Sequence, residues 1–137
     1  MTRWRGKAIF DVDYGLLGTF VCFFIFAGNM ARIPAVSSLM STLLEKNTLI
    51  FSVLSCQVIS NVPSAILLSQ FTADYPALLL GVNIGGAGTL IASLASLITF
   101  REYCVHNPGK AGSYLAKFTA FNFGFVIVLG AIGLLIL

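Results

Sequence analysis

The sequence predicts an all-α integral membrane protein, and three observations carry this prediction. Of the 137 residues, 58% are hydrophobic and 9% are charged, whereas roughly 25% are charged in ordinary soluble domains. The mean hydropathy is +0.95. The charges fall beside uncharged runs of 18, 27, 26 and 20 residues. Because a helix needs about 20 apolar residues to cross a bilayer, nearly the whole chain is expected to lie in membrane.

In chain order, we predict a single membrane domain with three spanning helices, one of them broken, one interfacial helix and one re-entrant helical hairpin. A first span, residues 14–32, has almost no polar face. Residues 33–47 mix apolar and hydroxyl side chains at three- and four-residue spacing, which predicts an amphipathic helix lying along the membrane plane. A last plain span covers residues 117–137, after a polar loop over residues 101–116.

Residues 48–73 are long enough to span the membrane, but polar residues and a proline interrupt their centre. Pro63 lacks a backbone donor and clashes with the preceding turn, so the helix is predicted to break there. Broken backbone at membrane depth survives only where it is buried in protein or lines a cavity. Two interpretations compete: a kinked span, or a re-entrant hairpin with half-helices at 48–60 and 62–70 and its tip at Ser60-Asn61-Val62-Pro63.

The distribution of Lys and Arg favours the hairpin. With the basic N-terminus in the cytoplasm, a full crossing at residues 48–73 would place the basic loop at 101–116 outside, against the positive-inside rule. A hairpin leaves only Arg32 and Lys46 outside, and six basic residues inside: Arg3, Arg5, Lys7, Arg101, Lys110 and Lys117. We therefore expect a multi-pass protein of the plasma (inner) membrane with a cytoplasmic N-terminus.

The span at residues 75–100 is also interrupted, by four glycines between Gly81 and Gly88. Each glycine costs about 1 kcal/mol in a helix interior, so an unwound stretch from Gly81 to Thr89 is predicted between two half-helices. Gly81 and Gly85 also have an alternative interpretation, because small residues often let membrane helices pack closely.

The two breaks form the candidate site. Each break exposes helix ends at membrane depth, where N-termini attract anions and C-terminal carbonyls attract cations. The residues expected to bind substrate or ion are Ser60, Asn61, Val62, Ser64, Asn83, Gly85, Gly86 and Thr89. Five of these residues carry hard side-chain oxygens of the kind that Na⁺ accepts: Ser60, Asn61, Ser64, Asn83 and Thr89. A coupling Na⁺ is expected at Ser60, Asn61 and Asn83.

Other functional classes fit the sequence poorly. No Asp, Glu, His or Lys stands inside a predicted span to act as acid, base or nucleophile, so an enzyme is not expected and no catalytic residue is assigned. The three cysteines show no metal-ligand spacing, and no cofactor beyond Na⁺ is expected. Basic residues are divided between two short loops instead of forming a stripe, which argues against a nucleic-acid partner.

Ser60-Asn61-Val62-Pro63, followed about twenty residues later by Gly81-Val82-Asn83-Ile84-Gly85-Gly86, resembles the ion transporter superfamily. This family includes divalent-anion/sodium symporters, citrate transporter-like permeases and arsenite-pump-like permeases. The similarity runs from about Phe10 to the C-terminus. It implies a transporter built from two inverted repeats, of which this chain resembles the second.

The resemblance also implies roles for the hairpin residues. Ser60 and Asn61 match the first two positions of the family's Ser-Asn-Thr motif, which is implied to hold sodium and to touch substrate. Val62 replaces the Thr whose hydroxyl is implied to bind a carboxylate. That departure weakens the case for a dicarboxylate and leaves arsenite-pump-like or cation/proton antiport members open.

Two functional hypotheses follow. The first is ion-coupled secondary active transport of a small anion or oxyanion, with the chain as half or a fragment of a larger permease in the lipid bilayer. Its partner would be a complementary N-terminal repeat or a second copy. The alternative is a non-transporting packing or regulatory subunit, or a truncated relic, because one repeat cannot enclose a site that needs two. Residues 1–13 look like an internal cytoplasmic loop, which favours a fragment.

Overall fold

The computed structural model describes residues 14–137, so the segment predicted to be a cytoplasmic N-terminus lies outside the described residues. The described part is helical throughout, with no strand, which agrees with the predicted class. Its elements are α1 (Tyr14–Met30), α2 (Pro34–Lys46), α3 (Thr48–Ile59), α4 (Asn61–Leu68), α5 (Tyr75–Gly85), a 3₁₀ helix (Leu90–Ala92), α6 (Leu94–His106) and α7 (Ala111–Ile136).

Within the described residues, α7 is the one helix that is long and apolar enough to cross a membrane by itself. Helices α1 and α2 meet the same criterion only as a bent pair, with an angle of 96° at the break between them. Pro34 stands at the start of α2, where its missing N–H costs nothing and its ring fixes a helical φ. The number of spans, three, stays a prediction.

Helices α3 and α4 fold back against each other. The hydroxyl oxygens of Ser55 and Ser64 are 3.0 Å apart, whereas nine residues of a straight helix would separate them by about 13.5 Å along the axis. A single residue, Ser60, joins the two helices. Its N–H donates to the Cys56 carbonyl (3.2 Å) and its own carbonyl accepts from the Ser64 N–H (3.1 Å). One residue therefore ends α3 and begins α4.

The break falls within the predicted tip at residues 60–63, at Ser60 instead of Pro63. The break lies at Ser60, and Pro63 lies inside the first turn of α4, so the predicted half-helices at 48–60 and 62–70 become Thr48–Ile59 and Asn61–Leu68. The first four N–H groups of a helix have no intrahelical acceptor. A proline in that turn removes no hydrogen bond, and Pro63 consequently marks a helix start where the sequence suggested a helix break.

The second break is also displaced from its predicted position. Helix α5 continues through Gly81 to Gly85, and the irregular backbone lies at residues 86–93, around the 3₁₀ helix. Both glycines face α3: a Cβ at Gly81 would lie 2.7 Å from the Cβ of Ser52, and one at Gly85 would lie 2.8 Å from the Cβ of Cys56. Close packing offsets the low helix propensity of glycine, as in the alternative interpretation of these residues.

The predicted polar loop over residues 101–116 is mostly helical. Helix α6 continues to His106 and α7 begins at Ala111, which leaves four residues between them, with Gly109 at a φ of +84°. The prediction placed the helix ends at the membrane boundary. The helices are longer than predicted, and the ring of Tyr114 in α7 packs against those of Phe100 and Tyr103 in α6, at centroid distances of 5.5 and 4.6 Å.

Helix α3 lies at the centre of the fold and contacts α2, α4, α5, α7 and the 3₁₀ helix, while α1 packs against α4. The core consists of buried side chains from five of these elements: Leu44, Cys56, Leu68, Leu78, Val82 and Ala92. This packing holds the hairpin turn at Ser60 against the irregular segment that follows α5.

Candidate functional site

The hairpin turn has a strained backbone and is tied to the second break. Ser60 has φ 73° and ψ 160° and is the one non-glycine residue with positive φ in the described chain. This conformation is nearly restricted to glycine and costs about 1–3 kcal/mol. The Ser60 hydroxyl donates to the carbonyl of Ala92 in the 3₁₀ helix (3.2 Å). We call the contact between the hairpin turn (Ser60 and Asn61) and the second break (residues 86–93) the junction.

Gln57, in the last turn of α3, braces the junction. Its Nε2 donates to the Gly85 carbonyl (2.9 Å) and to the Val53 carbonyl (2.8 Å), and its Oε1 accepts from the Thr89 N–H (2.8 Å). The Thr89 hydroxyl donates to the main-chain carbonyl of Gln57 (3.3 Å). A Cβ at Gly88 would overlap Oε1 of Gln57, so the side chain fits only beside glycine. One side chain thus connects α3 to both ends of the segment at residues 86–88.

Asn61 presents an amide donor at the junction. Its Oδ1 accepts from the Val62 N–H (2.9 Å), while its Nδ2 has no hydrogen-bond partner in the described part of the chain. That nitrogen lies over Gly86, where an added Cβ would be 2.8 Å away. Asn61 is half-buried. A donor without a partner, beside the half-buried Gly86 at the end of a helix, is suited to binding a ligand acceptor.

Helix ends of both signs meet at the junction. The hydrogen bond from Ser60 to Ala92 places the start of α4 beside Ser93, the residue that precedes α6. The last turns of α3 and α5 also end there. Helix N-termini carry about half a positive charge and C-termini about half a negative charge. The junction can therefore attract an anion and a cation without any charged side chain.

Three main-chain carbonyl groups of the second break are not used by its backbone, and they belong to two half-buried residues, Gly86 and Ala87, and to the buried Gly88. Those of Gly86, Ala87 and Gly88 accept no hydrogen bond from the residues that the structure describes. Main-chain carbonyls are hard oxygen ligands, which suit alkali and alkaline-earth cations. The irregular backbone at residues 86–88 thus supplies oxygens that a helix would have used internally.

The structure brings together four of the eight predicted site residues: Ser60, Asn61, Gly86 and Thr89. The side chain of Ser64 is fully buried between α3 and α4, bonded to Ser55, and holds the hairpin closed. Val62 is 44% exposed beside the turn. Gly85 packs against Cys56 and contributes its carbonyl to Gln57.

Asn83 lies apart from the junction, which corrects the predicted grouping of Ser60, Asn61 and Asn83 around one sodium ion. It is exposed, its Nδ2 donates to the Leu79 carbonyl of its own helix (2.7 Å), and it lines a groove between α5 and α7. The helical continuation of α5 causes this, since Gly81 and Gly85 direct one face of α5 toward α3 and Asn83 falls on the opposite face.

Sequence reasoning did not assign Gln57 to the site. The sequence feature that could have identified Gln57 is an amide side chain within the apolar run of α3, one turn before the hairpin tip. A buried amide needs partners, and the nearest free backbone groups were those of the second break. The sequence analysis placed the two breaks in one site, but no local pattern shows which side chain of α3 bonds to the second break.

Comparisons with known proteins agree with a membrane protein connected with transport. The chain is 41% identical over 90 residues to a protein named as an uncharacterized transporter in Methanocaldococcus jannaschii, covering 66% of this chain and 26% of that protein. It is 37% identical over 98 residues to the inner membrane protein YbiR of Escherichia coli K12, covering 69% of this chain and 26% of that protein.

The chain spans about a quarter of the length of both relatives. No protein-family description matches the chain, and no solved structure matches it significantly. The similarity to these two proteins supports a transporter-like membrane protein.

Proposed function

We propose that the chain forms part of a secondary active transporter for a small anion or oxyanion, and that the junction binds the substrate together with a coupling ion. The observation that carries the proposal is the unpartnered Nδ2 of Asn61, which lies over the bare backbone of Gly86. The transporter-named relative supports a general role in transport. The remainder of the binding site is proposed to come from a complementary polypeptide or a second copy.

The anion would be held by donors. Asn61 supplies its side-chain amide and its main-chain N–H, and the first turn of α6 supplies N–H groups that no helix carbonyl can reach. The Val62 N–H is already bonded to Oδ1 of Asn61. Pro63 removes one donor from the first turn of α4. Val62 offers no hydroxyl, so the substrate would be recognised mainly by amide and backbone groups. Citrate, succinate, sulfate and arsenite are the anions to test.

The cation would be held by oxygens. We assign Na⁺ to the Ser60 hydroxyl and the free carbonyls of residues 86–88, in place of the predicted set that included Asn83. Na⁺ bound there would reduce the negative potential of the C-terminal ends of α3 and α5, and so favour anion binding beside it. Such mutual stabilisation is the physical basis of coupled transport.

The first test compares two asparagines. Asn61→Ala removes the free amide at the junction, whereas Asn83→Ala removes an amide bonded only within its own helix. We expect Asn61→Ala to lower uptake at least tenfold, since one hydrogen bond to a charged ligand contributes about 1.5–3 kcal/mol. Asn83→Ala should retain more than half. Uptake of the four radiolabelled anions into proteoliposomes, with and without a sodium gradient and with the complementary polypeptide present, measures this difference.

Equal loss in the two variants would contradict a site confined to the junction, because it would restore the predicted site that includes both Asn61 and Asn83. Both variants must insert to the same level, which membrane-fraction immunoblotting checks. Absence of uptake of any anion by the parent chain with its complement, at normal insertion, would favour the alternative of a packing or regulatory subunit.

A second prediction concerns orientation. Lys46 and Asp74 line the same cleft, of about 570 Å³, as Leu137 at the C-terminal end of α7. This supports a hairpin that enters and leaves on one side, opposite Lys110. With Cys22, Cys56 and Cys104 replaced, single cysteines at positions 46 and 74 should react with an impermeant thiol reagent on intact cells, and one at 110 should not. Protection at 74 with labelling at 110 would contradict a re-entrant hairpin.

A further inference from the structure

A cleft lies between the C-terminal part of α6 and the start of α7, and its lining residues have no role in the proposed transport mechanism. It has a volume of about 370 Å³ and is lined by Tyr103, Ser113, Tyr114, Lys117, Phe118 and Phe121. The ring of Tyr114 packs against Tyr103 at 4.6 Å and stacks on Phe118 at 5.9 Å. These contacts fix one wall of the cleft, so the cleft is preformed.

Lys117 gives the cleft a positive charge. It is the only charged residue of α7, it is exposed, and it forms no ion pair in the described part of the chain, where the recorded pair joins His106 and Glu102. The 19 residues from 118 to 136 are uncharged and extend for about 28 Å, close to the thickness of a hydrocarbon core. Lys117 therefore stands where the lipid headgroups begin.

The cleft changes from polar to apolar along α7. Tyr103, Ser113 and Lys117 provide two hydroxyl groups and an ammonium group, whereas Phe118 and Phe121 lie nearer the apolar part of the helix, with Phe121 70% exposed. A free phosphate ion would satisfy only the polar end. A phospholipid would satisfy both ends, since tyrosine and lysine at the membrane boundary contact headgroups and phenylalanine contacts acyl chains.

We propose that this cleft binds one anionic phospholipid. The headgroup phosphate would contact Lys117, with the hydroxyls of Tyr103 and Ser113 as further donors, and the first part of an acyl chain would lie along Phe118 and Phe121. Basic pockets between membrane helices bind anionic headgroups in this manner. The proposal does not depend on the transport function, because none of these residues belongs to the junction.

Tryptophan quenching by brominated lipid tests the proposal. Phe121→Trp is made in the full chain with Trp4→Phe, which removes the one natural tryptophan. The protein is reconstituted in mixed phosphatidylglycerol and phosphatidylcholine bilayers, with one or the other lipid brominated. We expect brominated phosphatidylglycerol to compete for the site roughly fivefold better than brominated phosphatidylcholine, the effect of one cationic contact near the surface. A tryptophan at Phe125, one turn further along α7, should show no preference.

Matched charge variants complete the test. Lys117→Gln should abolish the preference, Lys117→Arg should retain it, and Lys110→Gln, which removes a charge outside the cleft, should leave it unchanged. Equal preference at positions 121 and 125, or equal loss in the Lys110 and Lys117 variants, would mean diffuse attraction of anionic lipid and would overturn the proposal. A preference that inorganic phosphate removes but sodium chloride of equal ionic strength does not would identify a free phosphate site, and would also overturn it.

Discussion

Helix α5 packs against α3 on one side and against α7 on the other, and the two contacts are built differently. Toward α3, an added Cβ at Gly85 would lie 3.0 Å from the Cα of Val53 and 2.8 Å from the Cβ of Cys56. On the α7 side, an added Cβ at Gly133 of α7 would approach only the ends of side chains, at 3.3 Å from Leu80 Cδ2 and 3.5 Å from Ile84 Cδ1 of α5, and at 2.9 Å from Leu49 Cδ1 of the neighbouring α3.

The difference between the two contacts shows which pair of helices is held more rigidly. Backbone and Cβ atoms cannot move without displacing a helix, whereas the end of a leucine moves by changing rotamer. The α3–α5 contact also carries the hydrogen bonds of Gln57 across the junction. Between α5 and α7 there is an open groove whose lining is apolar apart from Asn83. We infer that α3, α4, α5 and the 3₁₀ helix form one firm unit to which α7 is more loosely attached.

The largest effect on stability is expected at the α3–α5 contact. Gly85→Ala should lower the free energy of unfolding by about 3 kcal/mol, because overpacking against backbone forces the helices apart. Thermal unfolding in detergent, followed by far-ultraviolet circular dichroism, measures it. A loss below 1 kcal/mol would mean that α3 and α5 separate easily, and the contrast with α7 would disappear.

An intermediate effect is expected for the brace at the junction. Gln57→Leu keeps the volume but removes the hydrogen bonds to the Gly85 carbonyl and the Thr89 N–H, and should cost about 2 kcal/mol at about 1 kcal/mol for each bond. Asn122→Leu is the matched control, since the Asn122 amide donates only to Phe118 of its own helix (2.8 Å). If the two variants lose equal stability, Gln57 does not brace the two breaks.

The smallest effects are expected along α7. Gly133→Ala should lower the free energy of unfolding by less than about 1 kcal/mol. The ends of the leucine side chains can move away from the added methyl group, and alanine has a higher helix propensity than glycine. Gly124→Ala, with no atom within 4 Å of the added Cβ, should be neutral or stabilise by up to about 1 kcal/mol. The same thermal measurement applies. A large loss at Gly124 would reveal a close contact on this exposed face and would show that α7 is more tightly held than we infer.

The sequence by itself determined the helical class, the transporter-like character and the presence of two interruptions in the apolar pattern. Apolar runs and scarce charges impose helices, because backbone groups away from water must be bonded within the segment. Ser60-Asn61-Val62-Pro63 and the glycines after Leu80 marked the interruptions to within a few residues. These features are local, so a local pattern predicts them.

Only the tertiary structure decided where each break falls and which side chains meet there. Pro63 is compatible with breaking a helix or with starting one, and the backbone of Ser60 decided between them. Gly81 and Gly85 are compatible with unwound or helical backbone, and packing against α3 made them helical. Asn61 and Asn83 look alike in sequence, but the resulting phase of α5 leaves one at the junction and turns the other away. Each outcome depends on contacts between residues distant in the chain, which a sequence pattern does not contain.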